Sequence, residues 1–160
     1  MAQFIAPILA SFETLLKANL NTKIAALDSN AKIVDATAYS LANKIFPSRY
    51  PWVSIFNMGE SLADQPETGG SVDLTIPVFV TIDFYGADEV LLHDLADVYN
   101  TAVVQSIIGG SGDWCLSGSV ELLRIISLET VPIAAEEENE LIISGCATRW
   151  EATKTVFPLA

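Results

Sequence analysis

The sequence is short of histidine, cysteine and basic side chains, and each shortage closes off a class of function. Only one histidine, His93, stands among 160 residues. No paired-histidine metal motif can therefore form, and a serine or cysteine triad would have to run through that single imidazole. Its position inside a helical pattern fits a structural role. The two cysteines, Cys115 and Cys146, lie far apart with no second cysteine beside either, which excludes a Cys-x-x-Cys redox pair and a four-ligand zinc site; both read as free thiols. No stretch approaches the roughly 18 uninterrupted apolar residues of a membrane span, so no membrane partner is expected. The first residues, "MAQFIAPILASFETLL", have no basic segment ahead of their apolar ones and read as mature sequence in the cytoplasm.

Basic residues number 8 against 20 acidic ones, a formal net charge of -12. The distribution is lopsided: between Glu60 and Glu140 the only basic residue is Arg124. Such a surface repels phosphate backbones and anionic headgroups, so tight nucleic-acid binding by counterion release is not expected.

Motifs that would carry catalysis are missing as well. "GGSGD", Gly109 to Asp113, comes close to a nucleophile elbow, but Asp113 replaces the last glycine and the segment follows a helix instead of joining a strand to one. The same glycines lack the Gly-Lys-Ser/Thr ending of a phosphate loop. Glu136, Glu137, Glu138 and Glu140 lack the spaced Asp/Asn/Gly pattern of a calcium loop and read as a solvated turn. No two carboxylates stand out as an acid/base pair. The sequence therefore assigns no catalytic, cofactor-binding or metal-binding residue, and the chain is expected not to be an enzyme.

What is present is a large apolar fraction, 51%, in a length that fits one domain, 1–160, able to bury roughly 68 to 70% of its unfolded surface. Ile8, Phe12, Leu15, Leu16, Leu20, Ile24 and Leu27 recur at helical spacing, with Pro7 at a tolerated first-turn position. A weaker helical pattern, Val34, Ala38, Leu41 and Ile45, follows and is stopped by "FPSRYP". "WVSIFNM" reads as a short strand. From Gly86, "GADEVLLHDLADVYNTAVVQSIIGG" reads as a helix capped by Asp88 and ended by Gly109, burying Leu91, Leu95, Val98, Tyr99, Ala102 and Val103. Two further strands are expected from Ser119 and from Glu140, joined by an acidic hairpin loop. The order, helix, possible short helix, strand, strand, helix, strand, strand, predicts a single α+β domain: an antiparallel or mixed sheet of about four main strands with long helices packed on one face.

The second strand, "VDLTIPVFVTIDFYG" from Val72 to Gly86, is unusually long. At about 3.3 Å per residue it spans roughly 46 Å, against about 17 to 20 Å for a usual strand. It is expected to bend, bulge or project. Val72, Leu74, Ile76, Val78, Val80, Ile82 and Phe84 form one face, the core face. The other face mixes Asp73, Thr75, Thr81 and Asp83 with Pro77, Phe79 and Tyr85, and Pro77 places its part of the strand at an edge or bulge. A half-apolar outer face on an edge strand invites another chain.

With its N-terminal amphipathic helix, "FPSRYPWVSIFNMGES" leading into the first strand, an acidic loop, a long alternating strand ending "DFYGADEVLLHDLADVYNTAVV", and a last strand pair ending "CATRWEATK", the chain resembles the tail terminator (tail completion) proteins of long-tailed bacteriophages. The resemblance implies a virion protein assembled in the host cytoplasm. It would form a homo-oligomeric ring, a hexamer, seated on the last ring of the tail tube at its head-proximal end, ending tube growth and offering a surface to neck or head-completion proteins. Genomic DNA would pass through its channel without specific binding. In that setting Phe79, Tyr85 and Trp150 are the expected subunit contacts, since aromatic anchors dominate interfaces. Glu60, Asp64 and Glu67 in one loop, and Glu136, Glu137 and Glu138 in another, are the expected channel-facing or partner-facing acids. The alternatives are a neighbouring neck or head-completion protein and, from a different class, a small-ligand-binding domain whose binding would depend on His93 or Asp113.

Overall fold

The structure is a computed structural model, and it describes residues 2–43, 47–58, 62–63, 72–86, 89–109, 114–116, 118–131 and 142–156. Among these, eight elements follow in the order α1 (Ala2–Leu27), β1 (Tyr39–Ser40), β2 (Trp52–Phe56), β3 (Leu62–Ala63), β4 (Val72–Gly86), α2 (Glu89–Ile108), β5 (Leu122–Val131) and β6 (Ile142–Val156). The strands form one sheet in the order β1-β2-β4-β6-β5, with β3 also pairing β4. All pairings are antiparallel except β1 with β2, so the sheet is mixed and the fold is α+β, as the alternation of elements predicts.

The helices cover one face. On α1 the residues Ile8, Phe12, Leu16, Leu20 and Ile24 fall every four positions and are completely buried, the stripe that a 3.6-residue period lays along one side. α1 begins earlier than its apolar period suggested, so Pro7 lies inside it, and the Ser11 hydroxyl donates to the Pro7 carbonyl at 3.0 Å. α2 buries Leu92, Leu95, Ala96, Tyr99, Ala102, Val103 and Ile107. Leu91, expected in that stripe, is exposed instead, and Leu92 takes its place. A cause sits at the strand end: Gly86 leaves room there for the Leu92 side chain, which a Cβ at Gly86 would strike. Gly109, with φ of 70°, ends α2 in the left-handed region as its sequence position suggests.

The second helical segment does not exist among the described residues. Residues 28–38 instead form turns fixed by aspartates: the Asn30 amide donates to Asp28 Oδ1, and the Thr37 amide and hydroxyl both donate to Asp35 Oδ1. The side chain of Asn21 on α1 then clamps the segment, giving Nδ2 to the Val34 carbonyl and taking the Val34 amide on Oδ1, both at 2.8 Å. Ala31, Val34 and Ala38 are buried by this fold-back, and the last two keep the expected apolar spacing of four without helical backbone, while Leu41 is exposed.

β4 is as long as expected, but its place differs from the expectation. It is the centre of the sheet, not its edge, and it neither projects nor bulges. β6 has the same length and pairs with it residue for residue, from Val72↔Val156 to Gly86↔Ile142. On the other side β2 takes Phe79 to Asp83 and β3 takes Leu74 and Thr75. Pro77 falls in the gap between them, where its missing N–H costs no ladder bond. Its carbonyl, which points to the same side, is met by Asn57 Nδ2 at 2.7 Å.

Candidate functional site

Side chains of β4 alternate sharply in burial. Leu74, Ile76, Val78, Val80, Ile82 and Phe84 are buried under the helices, where the Phe84 ring meets Tyr99 of α2 at 5.0 Å. On the opposite face Thr75, Pro77, Phe79, Thr81, Asp83 and Tyr85 are half-buried and Asp73 is exposed. The sheet register extends this outer face across neighbouring strands: Phe79 lies between Phe56 of β2 and Arg149 of β6, and Asp83 lies between Trp52 and Gly145.

The two outward aromatics of β4 are organised by the chain itself. Phe79 stacks on Phe56 with centroids 5.6 Å apart and an interplanar angle of 12°, and the Arg149 guanidinium sits 5.5 Å from its centroid. Tyr85 meets Tyr50 edge-on at 4.3 Å. Each ring is thereby held in place while part of it stays open to solvent, a pre-ordered anchor that loses little freedom on contact with another chain. Between them Asp83 is half-buried, and that burial pushes its carboxyl up to about 6. An acid raised in this way marks a place where charge is poorly solvated.

Trp150 is not part of this face. Pairing with Val78 puts it on the helix side, and its side chain is 0% exposed. It packs edge-on against Phe12 of α1 at 5.8 Å and donates its indole N–H to the Thr148 hydroxyl at 2.8 Å. It has no surface to give a second copy, which corrects its assignment as a subunit contact. The acidic candidates Glu60, Asp64, Glu67, Glu136, Glu137 and Glu138 lie outside the described residues. Arg149 and Phe56, which the sequence reading passed over, join the outer face because β6 and β2 flank β4; strand order is the signal, and a single sequence does not state it.

Among the described residues, no group of three or more His, Cys, Asp or Glu side chains is placed to hold a metal ion. No helix among the described residues is long and apolar enough to cross a membrane. A cavity of about 240 Å³ opens beside Tyr85, lined by Lys32, Tyr50, Pro51, Phe84, Tyr85 and Tyr99. It is smaller than the roughly 300 to 1,000 Å³ of a usual ligand pocket. His93 is exposed on α2 and does not line it, and Asp113 lies outside the described residues.

No family model matches the chain, and no curated protein matches it. Among solved structures, a chain described as "Virion of native gene transfer agent (GTA) particle" is similar at a TM-score of 0.47 and 14% identity, covering 86% of this chain and 94% of that one.

Proposed function

We propose that the chain is a structural virion protein that assembles into a ring, a hexamer, capping the head-proximal end of a phage tail tube. The observation that carries this reading is the outer face of β4. In a chain rich enough in apolar residues to fill its core, Phe79 and Tyr85 are held rigid by Phe56 and Tyr50 and left half-open on the side of the sheet that the helices do not cover. Since β4 is paired on both edges, a sister copy would meet it through this face and not by adding a strand. The order of elements and the local sequence around "YPWVSIF" support the same reading.

In this mechanism the ring binds tube subunits on one side and offers no side on which another tube ring can grow, so polymerisation stops by capping. The other side is left for neck or head-completion proteins. The excess of carboxylates keeps DNA phosphates from adhering as the genome passes through. The test is polymerisation of the partner tube protein with and without this chain, followed by electron microscopy. Capped tubes of limited length are expected. A chain that stays monomeric and leaves tube length unchanged contradicts the reading, and finding it at the neck instead of the tube end in assembled particles contradicts the terminator role.

A further inference from the structure

The far edge of the sheet is β5, whose only strand partner among the described residues is β6. Three of its ten residues are exposed large apolar ones, Leu122 at 46%, Ile126 at 40% and Leu128 at 53%, an uncommon load for an edge that carries open backbone groups. One end is closed: the Leu123 amide donates to the Trp114 carbonyl at 2.7 Å. From the helix side, Asn100 Nδ2 of α2 donates to the Glu129 carbonyl at 3.2 Å. Among the described residues, the open stretch therefore starts at Arg124.

From this edge we infer that β5 pairs antiparallel with β5 of a second copy, about a two-fold axis at the strand's midpoint between Ile126 and Ser127. That register sets Arg124 opposite Glu129 of the second copy, twice over, and Ile125 opposite Leu128. Directly opposed residues in an antiparallel pair must share a face. With unbroken alternation, an axis lying between two adjacent residues would oppose outer to inner side chains and forbid the pairing. The shift in register between Ile125 and Ser127 removes this obstacle. Before it, Arg124 faces outward opposite Glu151; after it, Glu129 faces outward opposite Ala147, while Ile125 and Leu128 both lie on the helix side. The bulge thus makes the two halves of the strand complementary to each other.

Charge agrees with geometry. Arg124 is the only basic residue between Glu60 and Glu140, and no ion pair within the chain engages it among the described residues. Glu129 is steadied by the Ser127 hydroxyl at 3.0 Å on the same face. A strongly acidic chain would otherwise repel its own copies, and here the lone cation of its central region meets an acid of the second copy. The contact closes at two copies, so it does not build the ring; it pairs free chains and leaves the outer face of β4 uncovered.

The test uses the full chain and its Arg124→Glu, Glu129→Arg and combined variants, each checked for native circular dichroism, in sedimentation equilibrium. The wild type is expected to dimerise. Either single reversal places like charges across both pairs and should raise the dimer Kd by about tenfold or more, and the combined variant should restore it. A monomeric wild type, a dimer indifferent to the single reversals, or a folded combined variant that stays dissociated overturns the inference. Tube length reads the cap separately, so failure of one reading is not failure of the other.

Discussion

Trp150 of the last strand lies edge-on to Phe12 of the first helix, ring centroids 5.8 Å apart at 70°, and both side chains are completely buried. This contact ties the two ends of the described chain across the core. Replacing Trp150 by Ala leaves a large cavity and the Thr148 hydroxyl without its indole donor. A loss of about 3 to 5 kcal/mol is expected in urea unfolding, with Phe12→Ala in the same range. Loss of ring assembly without loss of stability in the Trp150 variant would mean that the side chain reaches the surface after all.

Asp83 gives a pH signature. Its folded carboxyl is pushed up to about 6 by burial, from an ordinary 3.8. The native state therefore holds a proton that the unfolded chain has released between those values, so this group's contribution to stability falls as pH rises from about 4 to about 6 and stays low above it. Because the carboxyl is only half-buried, solvent screening trims the effect to about 1 kcal/mol. Asp83→Asn should raise stability at pH 7 by that order and make no difference below pH 4, measured by denaturant titration at both values. Destabilisation at neutral pH would show instead that the charged form is held by a partner.

The thiols should separate cleanly. Cys115 is exposed and Cys146 buried, and burial pushes the Cys146 thiol up, so both access and thiolate content are low there. An aromatic disulfide reagent at pH 8 should titrate one thiol per native chain and two in denaturant. Two fast thiols in the native chain would mean that the β4–β6 core opens readily.

Much of the fold could be read from periodicity alone. Both long helices, the alternation of β4 and the final strand pair follow from spacing that backbone geometry imposes on any core-facing segment. The parts that could not be read depend on pairing. Val34 and Ala38, two of the residues that suggested a second helix, are buried because Asn21 clamps a turn there, while Leu41 of the same pattern is exposed. The length of β4 suggested a strand that bends, bulges or projects, and Pro77 an edge, whereas an equally long β6 pairs with all of β4 and Pro77 falls in the gap between β2 and β3. Trp150 fails as a surface anchor for a related reason: its face is fixed by the β4–β6 register, opposite Val78, and not by anything within its own segment. Phe79 and Tyr85 were legible as outward because they share a strand with six residues that are plainly core.

The central claim, that the outer face of β4 is completed by sister copies, is tested most directly by electron microscopy of the chain mixed with the tube protein of the proposed function, wild type beside a Phe79→Ser/Tyr85→Ser variant of native circular dichroism. The account predicts closed rings at tube ends for the wild type and bare, overlong tubes for the variant. Rings of unchanged symmetry in the variant, or none in the wild type, would contradict it.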